Sequence, residues 1–133
     1  LRVAFLEANC SWLPWLLWRL DEGYEREGDV FMPDLKMAPS EYFKRQCWIS
    51  IEPDEAPARY TINEFGCDQL VFSTDYPHGD SKYPHAVESF LELKLSDADK
   101  RKILWDNCAR FYGATANQPQ VNSLDHDQQQ LHR

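Results

Sequence analysis

With 133 residues, 43% of them hydrophobic and 14% aromatic, the chain is large enough to bury a core and too apolar to be disordered throughout. A formal net charge of -8 speaks against nucleic acid and anionic membrane surfaces as partners, because both select basic patches. The four cysteines, Cys10, Cys47, Cys67 and Cys108, contain no Cys-x-x-Cys pair, so they read as reduced thiols of a cytoplasmic protein, not as a zinc knuckle or redox motif.

Leu1 to Ala8 is predicted to be a strand buried on both faces, with Glu7 and Asn9 at its end. Ser11 is a candidate N-cap and Pro14 falls in a first helical turn, so a helix is predicted to Glu27 with Gly28 as its stop. Leu13, Leu16, Leu17, Leu20 and Tyr24 form one face of it, and Trp12, Trp15 and Trp18 widen the apolar surface. Those tryptophans fit packing, a subunit contact or, for Trp12 beside the strand end, substrate contact. The run is broken by Pro14 and Arg19 and is too short to span a bilayer.

A loop around Pro33 leads to a short helix at 39–45. The strand Cys47 to Glu52 follows, ended by Pro53 and again placing a carboxylate, Glu52, at a strand end. Asp54 and Glu55 are read as the acidic first turn of the next helix, which carries Tyr60, Ile62 and Phe65 inward and ends at Gly66. Gln69 to Phe72 has the composition of a buried strand, and Tyr76-Pro77 must turn away from it. Asp75 therefore sits where a buried strand becomes a loop, the position at which α/β proteins place their chemistry; the plainer alternative is a loop or helix cap.

A helix is predicted from His85 to Leu95, with Val87, Phe90, Leu91 and Leu95 inward. Ser96 and Asp99 make a capping-box-like start for the last helix, whose inner face is Ile103, Leu104, Cys108, Phe111 and Tyr112, with Gly113 as its stop. Asn107 shares that face, so its amide needs backbone partners, with the Asp75 loop as one candidate. The tail 114–133 is polar and Gln-rich and is expected to be disordered.

Alternation of strands and helices implies βαβ units and a parallel sheet. Three strands cannot close a barrel, and a full (β/α)8 barrel needs roughly 250 residues. The expected fold is therefore α/β: the C-terminal part of a (β/α)8 TIM barrel over residues 1–113. A chain starting at Leu1 within a strand is expected to be a piece of a longer protein.

The string Glu64-Phe65-Gly66-Cys67-Asp68-Gln69-Leu70-Val71-Phe72-Ser73-Thr74-Asp75-Tyr76-Pro77-His78 resembles the C-terminal signature of the amidohydrolase-2 family, metal-dependent TIM-barrel hydrolases and decarboxylases related to aminocarboxymuconate-semialdehyde decarboxylase. Asn107-Cys108-Ala109-Arg110-Phe111-Tyr112-Gly113 is similar to that family's closing segment, with Cys108 altering the spacing. The resemblance implies that Asp75 is a ligand of one catalytic divalent metal, zinc first and manganese or another ion as alternatives, or handles a proton there. It implies a small carboxylate or cyclic substrate, with hydrolysis and non-oxidative decarboxylation both open. His78, Glu7, Trp12 and Glu52 are candidate substrate contacts around Asp75. The family's His-x-His and mid-barrel histidine are not in this sequence, whose histidines are His78, His85, His126 and His132. The remaining ligands are expected from a missing N-terminal part of the barrel, and the isolated chain is expected to be inactive, with the native protein homo-oligomeric. Two other readings stand beside this one: a non-catalytic assembly domain using the Trp-rich helix, and a small α/β protein with Cys10 as nucleophile, for which no partner histidine is placed.

Overall fold

The computed structural model of the chain describes residues 1–113; the tail read as disordered, with His126 and His132, lies outside the described residues. The order is β1 (Val3–Phe5), α1 (Leu13–Phe31), α2 (Pro39–Gln46), β2 (Cys47–Ile51), α3 (Ala58–Phe65), β3 (Leu70–Phe72), α4 (Ala86–Glu92) and α5 (Asp97–Arg101); a π-helical turn, Lys102–Asp106, carries the helix on into α6 (Asn107–Tyr112). The strands form one parallel sheet in chain order, with Val3 opposite Cys47 and Ile49 opposite Leu70. All three C-terminal ends therefore lie on one side.

Period-two alternation decides which β2 residues face the helices. Ile49 and Ile51 pack with Leu13, Leu17, Phe43, Ala58, Leu70, Phe90 and Ile103 in the core. Trp48 and Ser50 face the other way. Trp48 is covered there by Phe111, with ring centroids 5.1 Å apart, while Arg2 Nη1 donates to the carbonyl oxygens of Arg110 and Phe111 and ties α6 back to the start of β1. No helix among the described residues is long and apolar enough to cross a membrane.

Several local expectations are corrected. β1 is an outer strand of this sheet, so Phe5 and Leu6 are exposed instead of buried on both faces. Gly28 does not stop α1, which runs on to Phe31; a Cβ at Gly28 would lie 2.7 Å from the Tyr24 ring, so the glycine allows close packing within the helix. Ser11 is not the N-cap; its hydroxyl points to Glu55. α3 begins at Ala58, after Pro57, and buries Thr61, whereas Tyr60 is exposed. Val87, Leu91 and Tyr112 are exposed, while Phe90 and Ile103 are fully buried. The Ser96 cap is as read: Ser96 Oγ accepts from Asp99 N at 3.1 Å. Asn107 finds backbone partners at the entry to β3, not in the Asp75 loop: its Nδ2 donates to Cys67 O and Leu70 O, both at 2.7 Å.

Candidate metal centre at the strand ends

Because the strands are parallel and in chain order, the residues just beyond β1, β2 and β3 converge. Glu7 follows β1, Glu52 follows β2, and Asp75 and His78 follow β3. Asp75 Oδ1 and His78 Nδ1 are 2.8 Å apart, and Glu7 Oε2 lies 4.0 Å from the same nitrogen. Ligand-type atoms of Glu7, Asp75 and His78 all fall within 4.8 Å of one another.

The backbone is bent to achieve this. Glu7, Asn9 and Asp75 have φ of 61°, 56° and 56°, a left-handed conformation that non-glycine residues seldom adopt. Such positions cost on the order of 1–3 kcal/mol each and persist only where the surroundings enforce them. At Glu7 the enforcement is Ser50 Oγ, buried on the face of β2 opposite the core, which accepts the Glu7 N–H at 3.0 Å. At Asp75 it is a pair of turn bonds: Asp75 N–H donates to Ser73 Oγ, and the Asp75 carbonyl accepts from His78 N at 3.0 Å.

The electrostatics follow from the crowding of acids. Burial pushes the Glu52 carboxyl upward, with further upward contributions from Asp75, Glu55, Asp54 and Glu7. The hydrogen bond to Asp75 raises the imidazole of His78, which favours its charged form. Two carboxylates and one imidazole are oxygen and nitrogen donors suited to a hard or borderline divalent cation, and donors 2.8 Å apart can be neighbouring ligands of one ion. The residues present thus fit part of a metal site. Three donors fall short of a full coordination sphere.

Of the residues singled out in the sequence, Asp75, His78 and Glu7 are brought together and Glu52 adjoins them in the field of their charges. Trp12 does not join: its indole N–H donates to Ala8 O at 2.7 Å and its ring packs against the core. Cys10 is fully buried and its thiol is pushed upward by burial and by the Glu55 charge, which leaves no nucleophile. Two residues of the site's support were missed. Ser50 could have been placed by its alternation with Ile49 and Ile51. Glu55 has the sequence signature of a first-turn acid, yet it is 5% exposed and sits beneath the start of α1.

An open parallel α/β sheet with its polar groups gathered at the strand C-termini is the architecture of part of an α/β barrel. The comparisons name the class: the amidohydrolase family profile matches residues 12–114, and the chain belongs to that family. A gamma-resorcylate decarboxylase from Polaromonas sp. is 27% identical over 112 residues, which is 75% of this chain and 31% of that protein. The structure of 5-carboxyvanillate decarboxylase LigW from Sphingomonas paucimobilis matches with a TM-score of 0.69 at 27% identity, covering 86% of this chain and 34% of that one. A dihydroxybenzoic acid decarboxylase from Polaromonas, solved with bound manganese and the inhibitor 2-nitroresorcinol, shares the fold with a TM-score of 0.63 at 24% identity, covering 84% of this chain and 33% of that one. The chain spans about a third of the length of these relatives, 31% in the first case.

Proposed function

We propose that this chain supplies the C-terminal side of the active site of a metal-dependent decarboxylase acting on a hydroxylated aromatic carboxylate. The observation that carries the reading is the placement of Asp75, past the end of β3 in a left-handed turn, with its carboxylate against His78 and beside Glu7. The related decarboxylases favour decarboxylation over hydrolysis, and the manganese-bound relative favours manganese over the zinc expected first. Asp75 is the metal ligand, with Glu7 the nearest further donor, while His78, hydrogen-bonded to Asp75, handles the proton. The other ligands come from the N-terminal remainder of the barrel. Bound there, the ion would supply Lewis acidity toward an oxygen of the substrate.

Non-oxidative decarboxylation breaks one C–C bond, releases carbon dioxide and forms a C–H bond with an added proton. The Asp75–His78 pair holds a proton between Oδ1 and Nδ1, within the same group of donors. Glu52, whose carboxyl is pushed upward by burial and by the neighbouring acids, lies at the same mouth. Four free thiols support a reducing, cytoplasmic compartment.

The test is made on the full-length natural protein, with manganese, by following carbon dioxide release from 2,6-dihydroxybenzoate and 5-carboxyvanillate. Asp75→Asn should lower turnover by at least about a hundredfold and reduce metal content, since loss of a ligand or of a positioned proton donor costs that much. Unchanged metal content and turnover would remove Asp75 from the site.

A further inference from the structure

We propose that Glu55 is a positioning residue that sets two of the site's acids at once, an inference that rests on the metal-site reading above. Its carboxylate is buried, and among the described residues it makes no ion pair. Its partners are N–H and O–H donors from two separate loops. Oε1 accepts from Cys10 N at 2.9 Å, Ser11 N at 2.9 Å and Ser11 Oγ at 2.5 Å. Oε2 accepts from Cys10 N and from Glu52 N, each at 3.2 Å. The first loop is the one that follows β1 and carries Glu7; the second follows β2 and carries Glu52.

A buried carboxylate without a cation is costly to desolvate, so packing alone would favour a neutral residue here. What a carboxylate offers is two planar acceptors and no hydrogens, the set needed to collect donors from both loops. The start of α1 adds its partial positive charge on the same side. The Cys10 carbonyl is held in turn by Thr61 Oγ1 at 3.1 Å, so the loop is gripped on both its donor and its acceptor sides. Between this grip and the Ser50 bond to Glu7 N lie the two left-handed residues, Glu7 and Asn9. With both ends fixed, the strained turn has one arrangement, and Glu7 faces Asp75 and His78. Released at the Glu55 end, the turn can relax to ordinary φ values and carry the Glu7 carboxylate away. Glu55 touches neither substrate nor metal; it acts through the Glu7 and Glu52 loops.

The test uses the full-length natural protein and Glu55→Gln, which keeps the shape but replaces one acceptor with a donor, facing N–H groups. Ser11→Ala removes a single donor from Glu55 and serves if Glu55→Gln does not fold. Ile103→Val, in the core and away from the loop, controls for lost stability. Manganese affinity is read by the signal of free Mn(II), and loop order by hydrogen exchange of segments 6–12 and 50–56. Glu55→Gln should weaken manganese about tenfold and raise exchange in 6–12, Ser11→Ala should weaken it two- to threefold, and Ile103→Val should do neither. Wild-type affinity in folded Glu55→Gln, or in Ser11→Ala where the former does not fold, overturns the inference. Asp75→Asn separates the two readings. If it binds manganese like the wild type, the metal-site reading fails, and unchanged exchange in 6–12 then also defeats the positioning role of Glu55.

Discussion

Replacing Asn107 probes how α6 is fastened to the strand that carries Asp75. Asn107 is 2% exposed, and both hydrogens of its Nδ2 are used, on Cys67 O and Leu70 O at 2.7 Å. Its Oδ1 faces a donor, Arg110 Nη2, at 3.5 Å, so the amide has one orientation consistent with its neighbours. Asn107→Ala loses two bonds worth about 0.5–1.5 kcal/mol each, a cost of roughly 1–3 kcal/mol that should not vary with pH. Asn107→Asp is nearly isosteric but sets a carboxylate against two carbonyl oxygens. As the neutral acid it can donate once, so at low pH it loses one bond, about 1 kcal/mol. As pH rises, the native state must either keep the proton or accept repulsion. The folded pKa is raised above the unfolded value of about 3.9, so below that value only the one-bond cost remains, and above it a further cost grows by about 1.4 kcal/mol per pH unit until the folded pKa is reached. Arg110 is exposed and only moderates this. At pH 7, about three units above that unfolded value, the ionisation cost reaches at most about 4 kcal/mol, added to the roughly 1 kcal/mol of the lost bond. Urea unfolding of the full-length protein between pH 4 and 7.5, followed by tryptophan fluorescence, measures it. A pH-independent cost for Asn107→Asp, or one below that of Asn107→Ala at pH 7, would refute the assigned bonds.

Two further outcomes follow from the same geometry. Asp99 accepts from Ser96 Oγ at 2.6 Å and from Cys67 Sγ at 3.0 Å, and these donors hold its carboxyl below the usual range while the Cys67 thiol is pushed up to about 12 by burial and by Asp99. Its contribution to stability is therefore present above the ordinary carboxylate pKa and lost as pH falls through the lowered folded value; Asp99→Asn should flatten the acid limb of the unfolding midpoint, and parallel limbs would count against the bonds. The isolated 133-residue chain, with β1 and β3 each unpaired on one side among the described residues and Trp15 and Trp18 exposed at 64% and 54%, should self-associate in sedimentation, and Trp15→Gln with Trp18→Gln should reduce association of the full-length protein; a cooperative monomer in the first case or no change in the second would contradict this.

Much of this protein was legible from residue order alone. Element type follows from local pattern: the apolar runs at β2 and β3, the helical spacing of Leu13 and Leu17, and the Ser96–Asp99 cap are satisfied within a few residues of themselves. The place of Asp75 was readable because a strand meeting Tyr76-Pro77 must end there whatever surrounds it. The boundaries were less readable, since Gly28 continues its helix by fitting under Tyr24, a matter of side-chain packing and not of intrinsic preference.

What needed the tertiary structure were the contacts between segments far apart in the chain. Glu55 looks like any first-turn acid until the fold brings the loop after β1, more than forty residues earlier, down onto it. Ser50 supports Glu7, and Asn107 supports the entry to β3, for the same reason. A buried polar group must be satisfied by some partner, and that requirement is visible in sequence; which partner satisfies it depends on the parallel order of the strands, which sets the loops at their C-terminal ends side by side. Residue types alone therefore named the acids of the site, and the shared strand end decided which of them meet.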